Sequence, residues 1–459
     1  MIVKRFFEPL IAQNSYMIGC AAAGEAIVID PTRDVQQYIA AAEAANLLIT
    51  HVTETHIHAD FLSGARELAH RTGARLCLSD EGDQDWKYQF EHDRKISHGD
   101  RMTIGNVAVD VLHTPGHTPE HLTFLITDGA AANRPIAAIT GDFVFVGDVG
   151  RPDLLEKAAK LAGTMESSAI TLWRSLQQFQ QFPDWLQIWP GHGAGSSCGK
   201  GISAVPHSTI GYERRFNWAF TAKSEAEFVT NVLSGQPDPP PYFAVMKRVN
   251  KEGPPLVNTR PIPLVSDDKL VEIVNTGLVI DTRPALEFAA GHVPRTLNIP
   301  MNGSFVTWAG WLIPYDREFH LIVEEGGERR LDEVRRALAL IGLERIAGYF
   351  KPSAVTCAGG TEIIDQMSVD ELAKHPSPNG PVVIDVRNDA EWNEGHIPNA
   401  INIPLGQLAQ RIDEIPEDAN VVVQCQGGGR SSIAASLLQK MGRKNVANLT
   451  GGYRAWKSR

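Results

Sequence analysis

The first half of the chain alternates short apolar runs, typical of β-strands, with amphipathic runs, typical of helices. EAIVIDP and LLITHVTETH predict strands over residues 25–31 and 47–56, and VQQYIAAAEAAN between them predicts a helix over 35–46. Three further strands are predicted over 107–117, 136–148 and 186–193. One long helix is predicted over 154–179. Alternation of this kind predicts an α/β fold.

A proline-rich segment, SGQPDPPPYFAVMKRVNKEGPP (234–255), interrupts this pattern. Proline has no N–H donor and resists regular structure, so we predict an inter-domain linker over residues 234–260. The chain of 459 residues is too long for one ordinary domain. We therefore assign a first domain to residues 1–233.

After the predicted linker the chain repeats itself. DTRPALEFAAGHVPRTLNIP (281–300) parallels DVRNDAEWNEGHIPNAINIP (385–404), with the shared residues at a constant offset of 104 positions. Such a match predicts two copies of one domain, over residues 261–355 and 366–459. Each copy opens on a short apolar run and then alternates helices and strands, which predicts two small parallel α/β domains in a multidomain α/β protein.

Composition and charge narrow the possible functions. The formal net charge of −11 disfavours a general nucleic-acid binder, because phosphate contacts need a basic face. No apolar run approaches the roughly 20 residues of a membrane helix, and Glu8, Gln13 and Asn14 interrupt any signal-peptide core. The five scattered cysteines indicate no disulfide framework. We expect a cytoplasmic homo-oligomer without nucleic-acid or membrane partners.

Histidines and carboxylates collect where the predicted strands of the first domain end. THIHADF carries His56, His58 and Asp60, and three later segments add His113, His117 and His121, then Asp142 and Asp148, and finally His192. One such segment is weak evidence, because a lone histidine is usually structural. Four segments in this order predict a metal site. Of these residues, His113 and His121 are expected to be structural.

The H-x-H-x-D…H…D…H order resembles the metallo-β-lactamase superfamily over about residues 1–230. The resemblance implies an αββα sandwich with the metal at one edge. Two-metal members place a further histidine directly after H-x-H-x-D, where this chain has Phe61. Asp60 and His192 are then few ligands for a second divalent ion. Two histidines and one carboxylate with open positions are the arrangement of non-haem Fe(II) oxygenases.

Within that superfamily, HTPGHT (113–118), TGD (140–142) and GRPDLL (150–155) resemble the persulfide dioxygenases. The resemblance implies one Fe(II) per chain on three ligands, His56, His117 and Asp142. The resemblance also implies that three further residues orient the ligands or hold water, namely His58, Asp60 and His192. Arg151 would lie near the substrate, with an ordinary surface arginine as the open alternative.

The activity implied by this resemblance is the oxidation of a low-molecular-weight thiol persulfide by O₂ to sulfite and thiol. The persulfides of glutathione, coenzyme A, cysteine and bacillithiol all stay open as substrates. Cys198, in SSCGKGIS (196–203), is expected to be a bystander.

The second reactive stretch is VVVQCQGGGRSSIAASLLQKMG (421–442), in which an apolar run enters Cys425, three glycines and a helix beginning near Ser431. Inward-turned N–H groups and the helix N-terminus stabilise anions beside the sulfur. With DVR and GHIPNAINIP, the stretch resembles the rhodanese sulfurtransferases over residues 366–459.

The rhodanese resemblance implies that Cys425 carries sulfane sulfur between thiosulfate, persulfide and sulfite. The substrate would contact five residues that follow Cys425, namely Gln426, Gly427, Gly428, Gly429 and Arg430. A cysteine phosphatase, the competing interpretation, has five residues between cysteine and arginine, whereas this chain has four.

The first repeat carries IVEEGGERRLDEV (322–334), in which Glu324 aligns with Cys425. A carboxylate is no sulfur nucleophile, so we predict that residues 261–355 form an inactive copy. Two alternatives stay open for the whole chain. One is a zinc-dependent thioester hydrolase of glyoxalase II type fused to a rhodanese, and the other is a non-catalytic sulfur carrier.

Overall fold

The structure, a computed structural model, describes residues 1–157, 163–236, 238–258, 260–359, 361–374 and 380–459. It divides into two compact units, of which one comprises Met1–Asn258 with Leu338–Gly342. The other comprises Thr259–Ala337 with Leu343–Arg459.

The first unit contains two six-stranded sheets. Sheet 1 keeps the chain order β1-β2-β3-β4-β5-β6, with strands Ile2–Glu8, Gln13–Cys20, Glu25–Ile29, Leu48–Thr53, Arg75–Ser79 and Arg94–Ile96. Sheet 2 has the order β12-β11-β10-β9-β8-β7, and its strands from β7 to β12 are Arg101–Ile104, Val107–His113, Leu122–Asp128, Ala137–Gly141, Gln187–Pro190 and Ser208–Thr209. Parallel pairs join β3 to β4 and β10 to β11, and each pair sends two strand ends toward the same edge.

Eight helices lie along the described part of this unit. They are α1 Gln36–Ala44, α2 Ala65–Thr72, α3 Leu154–Lys157, α4 Met165–Phe179, α5 Ile210–Phe216, α6 Trp218–Thr221, α7 Glu225–Leu233 and α8 Tyr242–Glu252. Across the described ranges of the whole chain, every helix is too short or too polar to span a bilayer.

Three apolar clusters show that the layers of this unit follow the order helix, sheet, sheet, helix. One cluster joins the facing sides of the two sheets, with Ile27 from β3 and Phe124 from β9. A second packs α1 and α2 on sheet 1, and a third packs α4 and α7 on sheet 2. The αββα sandwich expected from the sequence is confirmed, since each sheet buries both faces.

Strands of the first unit occur where they were predicted, but they end earlier. The strand predicted over 136–148 stops at Gly141, and a loop closed by the bridge between Val144 and Val149 follows it. The helix predicted over 154–179 is seen as α3 and α4, and residues 158–162 lie outside the described residues. The polar residues that follow each strand therefore lie in loops at the sheet edge.

Residues 242–252 of the predicted linker form a helix of 11 residues, α8, which corrects the interpretation of residues 234–260. The prolines flank the helix, before Tyr242 and again at Pro254 and Pro255, and α8 between them buries Tyr242, Phe243 and Met246. Asn250 on α8 is 1% exposed and donates to the carbonyls of His58 and Phe61, while its own carbonyl accepts from the N–H of Ser63. This helix therefore fastens the loop that carries THIHADF.

The second unit contains two parallel sheets. Sheet 3 has the order β14-β13-β15-β16, and its strands from β13 to β16 are Val279–Asp281, Leu297–Asn298, Phe319–Ile322 and Ile346–Phe350. Sheet 4 has the order β17-β21-β20-β18-β19, and its strands from β17 to β21 are Asp365–Met367, Val382–Asp385, Ile401–Asn402, Val421–Gln424 and Val446–Leu449. The described helices are α9 Leu270–Thr276, α10 Ala285–Ala290, α11 Phe305–Leu312, α12 Gly327–Ala339, α13 Ser353–Cys357, α14 Val369–Lys374, α15 Asp389–Asn393, α16 Gly429–Lys440 and α17 Gly452–Lys457.

Identical hydrogen bonds show that the two sheets are built alike. Arg283 holds Asp281 and the carbonyl of Gly291, and Arg387 holds Asp385 and the carbonyl of Gly395 in the same way. Asn298 and Asn402 each donate to the carbonyls of the Asp and the Arg of their own copy. The repeat seen in the sequence is thus a repeat of structure.

Strand register corrects the alignment of the two loops. Asp281 pairs with Ile322 in sheet 3, and the equivalent Asp385 pairs with Gln424 in sheet 4. The residue in the position of Cys425 is therefore Val323, not Glu324. Valine is no nucleophile either, so the expectation of an inactive first copy keeps its chemical basis.

We predict that Asn250→Ala destabilises the first unit by about 2–3 kcal/mol, because it leaves two carbonyls and one N–H of a buried loop without partners. Thermal unfolding of the full chain would measure the change. Asn231→Ala, on the exposed face of α7, is the matched control. Equal stability of the two variants would contradict the role given to Asn250.

Candidate metal centre and sulfur-transfer loop

Three of the predicted ligands converge at one edge of the sandwich. His56 follows β4, His117 follows β8 and Asp142 follows β10, and one ligand atom of each lies within 4.8 Å of the others. All three are buried, at 1%, 2% and 0% exposure. The structure therefore brings together the set that the sequence proposed for a metal.

A hydrogen-bond relay fixes the tautomer of His56. The Thr55 hydroxyl donates to Asp30 Oδ2 at 2.9 Å and lies 3.0 Å from His56 Nδ1. Since the hydroxyl proton is used on the carboxylate, the contact with the ring requires His56 Nδ1–H to donate to the hydroxyl. The lone pair of His56 is left on Nε2, which is free to bind a metal.

The same reasoning applies to His117. Its Nδ1 lies 2.9 Å from the carbonyl of Arg151, which can only accept, so Nδ1 carries the proton. Its Nε2 lies 3.6 Å from Asp142 Oδ2. Both imidazoles thus present an unprotonated Nε2 to the cluster.

His121 orients Asp142 instead of joining the ligand set. The backbone N–H of Asp142 donates to His121 Nε2 at 3.1 Å, which uses the lone pair of that ring. The other nitrogen, Nδ1, bonds the Thr114 hydroxyl at 2.9 Å. His113 Nε2 bonds the carbonyl of Pro119 at 2.7 Å. These contacts fit the structural roles expected for His121 and His113.

Protonation in the cluster favours cation binding. Burial lowers the pKa of His56 and of His117, so both rings are neutral donors. Burial opposes the ionisation of Asp142, but His192 outweighs it and holds the pKa of Asp142 well below its usual range. Burial likewise opposes the protonation of His192, but Asp142 outweighs it and raises the pKa of His192 well above its usual range. Two neutral imidazoles and one carboxylate result.

Unsatisfied polar atoms test whether a cation fits this cluster. Within the described residues, neither carboxylate oxygen of Asp142 has a hydrogen-bond partner. An ionised, buried carboxylate without partners is costly, and a bound cation would offset that cost. The residues present therefore fit a metal ion held by His56, His117 and Asp142.

His58 packs against His56, with the two ring centres 4.2 Å apart, but it is not one of the three grouped ligands. Its Nε2 lies 3.1 Å from Asp30 Oδ1, and Asp30 also accepts the N–H of Thr55. Burial opposes the protonation of His58, but Asp30 outweighs it and raises the pKa of His58 to about 9. His58 and Asp30 thus form a buried ion pair behind the ligand loop, which fits the supporting role predicted for His58.

Asp60 and His192 lie together with a residue that the sequence left as a bystander, Cys198. One ligand atom of each lies within 4.8 Å of the others, and all three are buried. His192 Nε2 lies 3.2 Å from Asp60 Oδ2 and 3.4 Å from Asp142 Oδ2. The two groups of potential ligands are therefore neighbours.

Arg151 is fully buried, so the surface alternative for it is wrong. Its guanidinium makes two hydrogen bonds to Asp153 at 2.8 and 2.7 Å and one to the carbonyl of Ser197 at 3.1 Å. Its backbone N–H donates to the carbonyl of Cys198. Arg151 thus holds the loop that carries Cys198, and its predicted contact with substrate stays a prediction.

In the second unit, Cys425 directly follows β20 and lies four residues before the start of α16 at Gly429. Its sulfur accepts the N–H of Gly428 at 3.1 Å and the Ser431 hydroxyl at 3.5 Å, and it is 2% exposed. Gly428 has φ +104°, a backbone conformation that favours glycine. The loop curls around the sulfur as the glycine run predicted.

The side chains of Arg430 and Gln426 in this loop already have hydrogen-bond partners within the protein. Arg430 makes two hydrogen bonds of 2.6 Å to Glu391, so in this structure it secures the loop to α15. Gln426 accepts a hydrogen bond from Arg387 at 3.4 Å. Arg387 also lies over the ring of Tyr453, 4.2 Å from its centre. Direct binding of substrate by Gln426, Gly427, Gly428, Gly429 and Arg430 stays a prediction.

Helix α17 packs closely against the backbone of the Cys425 loop and supports it. Tyr453 and Arg454 donate their N–H groups to the carbonyls of Cys425 and Gln426 at 2.7 and 3.1 Å. A Cβ on Gly452 would lie 2.1 Å from the Cys425 carbonyl oxygen. The terminal LTGGYRAW therefore needs its glycine at this position.

Sequence reasoning missed several residues that shape these sites. Asp30 ends the strand run EAIVID, and the rule that strand ends carry function could have identified it. Cys198 and Asn250 had no comparable signal, because their partners are distant in sequence. Glu391 also lacked one, since its pairing with Arg430 requires the folded domain.

Two family models match the chain. The metallo-beta-lactamase superfamily matches residues 9–192, and the rhodanese-like domain matches residues 368–459. A crystal structure of a metallo-beta-lactamase from Staphylococcus aureus subsp. aureus COL is 43% identical, with a TM-score of 0.71, and the match covers 76% of this chain and 99% of that one.

Two curated relatives each match a part of the chain. A probable metallo-hydrolase of Burkholderia pseudomallei is 31% identical over 33% of this chain, and a hydroxyacylglutathione hydrolase of Rhodospirillum rubrum is 30% identical over 39% of it. The chain spans 60% of the length of each relative. The chain belongs to the metallo-beta-lactamase superfamily and carries a C-terminal rhodanese-like domain.

We predict that His56→Ala, His117→Ala and Asp142→Ala each lose metal-binding capacity, because each removes one of the three residues that fit a metal ion. Loss of supporting residues around metal sites already costs ~10–100-fold in affinity, so ligand loss should exceed that. Elemental analysis of anaerobically purified protein measures the metal content. His70→Ala, on the exposed part of α2, should keep the metal content of the parent chain. Retention of the metal by Asp142→Ala would contradict the assignment.

Proposed function

We propose that the protein detoxifies sulfide-derived persulfides. Its first unit would oxidise a low-molecular-weight thiol persulfide with O₂, and Cys425 would transfer sulfane sulfur between persulfide, thiosulfate and sulfite. The observation that carries the proposal is the His56, His117 and Asp142 set, with Phe61 after H-x-H-x-D, in one chain with the Cys425 cradle.

Two imidazoles and one carboxylate support Fe(II) as the metal, one per chain. This ligand set, with further positions open, is typical of non-haem Fe(II) oxygenases. Fe(II) bound there would supply the one-electron chemistry with dioxygen that zinc cannot perform. Phe61 is 0% exposed and its ring centre lies 4.3 Å from that of His58, so it occupies its position as a packed apolar group.

The overall reaction is R–S–SH + O₂ + H₂O → R–SH + SO₃²⁻ + 2 H⁺. Four electrons pass from the sulfane sulfur to dioxygen, the S–S bond is broken, and the thiol carrier leaves in reduced form. The chain would contribute binding and orientation, since no protein nucleophile is required at this step.

The residues around the ligands keep the site in one geometry. Thr55 and the carbonyl of Arg151 hold the two imidazoles in the tautomer that exposes Nε2. The bond from the Asp142 N–H to His121 holds the carboxylate loop against the rings. Burial of all three ligands limits access of bulk water, which protects a reactive sulfur species from side reactions.

Sulfur transfer would take place at Cys425. In the forward direction, Cys425–S–SH + SO₃²⁻ → Cys425–SH + S₂O₃²⁻, so the S–S bond of the cysteine persulfide breaks and one forms on sulfite. The N–H of Gly428 and the hydroxyl of Ser431 would stabilise negative charge on the cysteine sulfur as it leaves.

Joining persulfide oxidation and sulfur transfer in one chain has a chemical advantage. Sulfite made by one activity is the sulfur acceptor of the other, and linking the two raises the effective concentration of the shared compound. The free state of all five cysteines agrees with a reducing compartment, and we propose the cytoplasm.

A zinc-dependent thioester hydrolase is the second candidate for the first unit. The Rhodospirillum rubrum relative, which is named a hydroxyacylglutathione hydrolase, favours it. Such an enzyme would act without oxygen.

We predict that the iron-loaded full chain consumes one O₂ for each sulfite formed from a thiol persulfide. An oxygen electrode and sulfite analysis would measure the ratio. The zinc-loaded chain should show no oxygen uptake, because zinc has no accessible redox chemistry. Thioester hydrolysis by the zinc-loaded chain, without oxygen uptake by the iron-loaded one, would support the hydrolase instead.

We predict that Cys425→Ser abolishes sulfur transfer from thiosulfate but leaves oxygen uptake within about twofold of the parent, since the two sites use different residues. Sulfite should then accumulate in place of thiosulfate. Cys357→Ser, at an exposed thiol, is the control and should change neither activity. Sulfur transfer that survives Cys425→Ser would show that another residue carries the sulfur.

A further inference from the structure

We infer that Arg454, on helix α17, binds the anionic end of thiosulfate or sulfite at the entrance to the Cys425 loop. The inference deepens the proposed function and rests on it, because it assigns the residue that recognises the substrates of sulfur transfer. The ligand class is a small oxyanion of sulfur, and the group that recognises it is a guanidinium from outside the loop.

The substrates of this step are dianions that must come close to the reacting sulfur. In the loading step, Cys425–SH + S₂O₃²⁻ → Cys425–S–SH + SO₃²⁻, so the S–S bond of thiosulfate breaks, one forms on Cys425, and sulfite leaves. The proton of the thiol passes to the terminal sulfur of the cysteine persulfide. Since the whole chain carries a formal net charge of −11, a local cation is needed to concentrate a dianion at the loop.

Two arginines beside the loop are already occupied by carboxylates. Arg430 makes two hydrogen bonds of 2.6 Å to Glu391. Arg387 is 1% exposed, donates to both carboxylate oxygens of Asp385 and is covered by the ring of Tyr453. The charge of each guanidinium is therefore balanced within the protein, which weakens its attraction for a further anion.

Arg454 differs, because its guanidinium is exposed and has neither a hydrogen bond nor an ion pair with any residue that the structure describes. Its backbone N–H donates to the carbonyl of Gln426 at 3.1 Å, which fixes the start of α17 against the loop. A Cβ placed on Gly427 would lie 3.6 Å from Arg454 Nη2. Gly427 is itself exposed, so this cation lies beside the loop where an anion from solvent can reach it.

The first copy of the domain carries a different residue at the position of Gly427. Val323 takes the position of Cys425, and in both copies the helix after the loop begins four residues later. By the same count Glu325 takes the position of Gly427. The first copy therefore places a carboxylate where the second copy leaves room for an anion.

The first copy also lacks a cation at the position of Arg454. Tyr349 of β16 and Asn448 of β21 pair with equivalent residues of β15 and β20. Val355 and Arg454 each follow six residues later. Val355 is 5% exposed and packs in an apolar cluster, so it offers no charge to a ligand.

The two positions are neighbours in both copies. Glu325 and Val355 line one cavity in the first copy, as Gly427 and Arg454 adjoin in the second. An acidic and an apolar side chain cannot attract an oxyanion. The copy that lacks the nucleophile thus lacks the cation as well, which supports a role for Arg454 in the chemistry at Cys425 and not in the folding of the domain.

Alkylation of Cys425 by a charged and an uncharged reagent tests the inference without requiring sulfur transfer. Iodoacetate is an anion and iodoacetamide is neutral, and in both the cysteine sulfur replaces iodide. We expect the ratio of the iodoacetate rate to the iodoacetamide rate to fall ~10-fold in Arg454→Ala, because a charge-assisted contact is lost. Mass spectrometry of the Cys425 peptide from the full chain would measure both rates.

Matched variants separate this contact from general effects of charge or folding. Arg454→Lys keeps the positive charge and should recover most of the ratio. Lys444→Ala removes an exposed cation that precedes β21, at the opposite edge of the parallel sheet from Cys425, and should leave the ratio unchanged. An iodoacetamide rate close to that of the parent would show that the loop of Arg454→Ala is intact. An unchanged ratio in Arg454→Ala would overturn the inference.

Steady-state sulfur transfer distinguishes a failure of this inference from a failure of the proposed function. With thiosulfate as the donor, Arg454→Ala should raise KM ~10-fold and keep kcat within about twofold, because the guanidinium binds the anion and carries no sulfur. Added salt should raise KM more in the parent than in the variant. An unchanged KM in Arg454→Ala would contradict the assignment. A parent chain without sulfur transfer, but with an alkylation ratio that depends on Arg454, would overturn the proposed function alone.

Discussion

The first unit depends on the carboxylate of Asp30. It is 1% exposed, accepts the N–H and the hydroxyl of Thr55 at 2.6 and 2.9 Å, and pairs with His58 at 3.1 Å. Its backbone has φ +53°, which costs an ordinary residue about 1 kcal/mol. The bonds that Asp30 makes offset that strain and join the end of β3 to the loop after β4. Through Thr55 they also set the tautomer of His56.

Buried polar groups decide what the site can hold. Asp60, Asp142 and His192 are buried together, with His192 Nε2 3.2 Å from Asp60 Oδ2 and 3.4 Å from Asp142 Oδ2. A cation held by His56, His117 and Asp142 would offset part of the cost of burying Asp142, which would couple metal binding to folding. Asn250 and Arg151 contribute indirectly, because each holds a loop that presents ligands.

The loop that carries Cys425 depends on burial of a helix, α16, on more than one side. Every residue of α16 from Ser431 to Leu438 is buried, because the helix packs on β20 and β21 of its own sheet and on β14 and α10 of the other copy. The hydroxyl of Ser436 accepts from the N–H of Asn298 at 3.1 Å across this contact. The first copy therefore supports the helix whose N-terminus follows Cys425, which gives that copy a structural role for which no nucleophile is required.

The sequence by itself determined the α/β class, the repeat and the order of potential ligands, because these follow from local periodicity and from residues at strand ends. His56, His117 and Asp142 could be grouped in advance for that reason. Tertiary structure alone decided that residues 242–252 of the proline-rich segment form helix α8, that Val323 occupies the position equivalent to Cys425, and that Cys198 lies beside Asp60 and His192. Each of these depends on contacts or register between segments far apart in the chain, which local pattern does not encode.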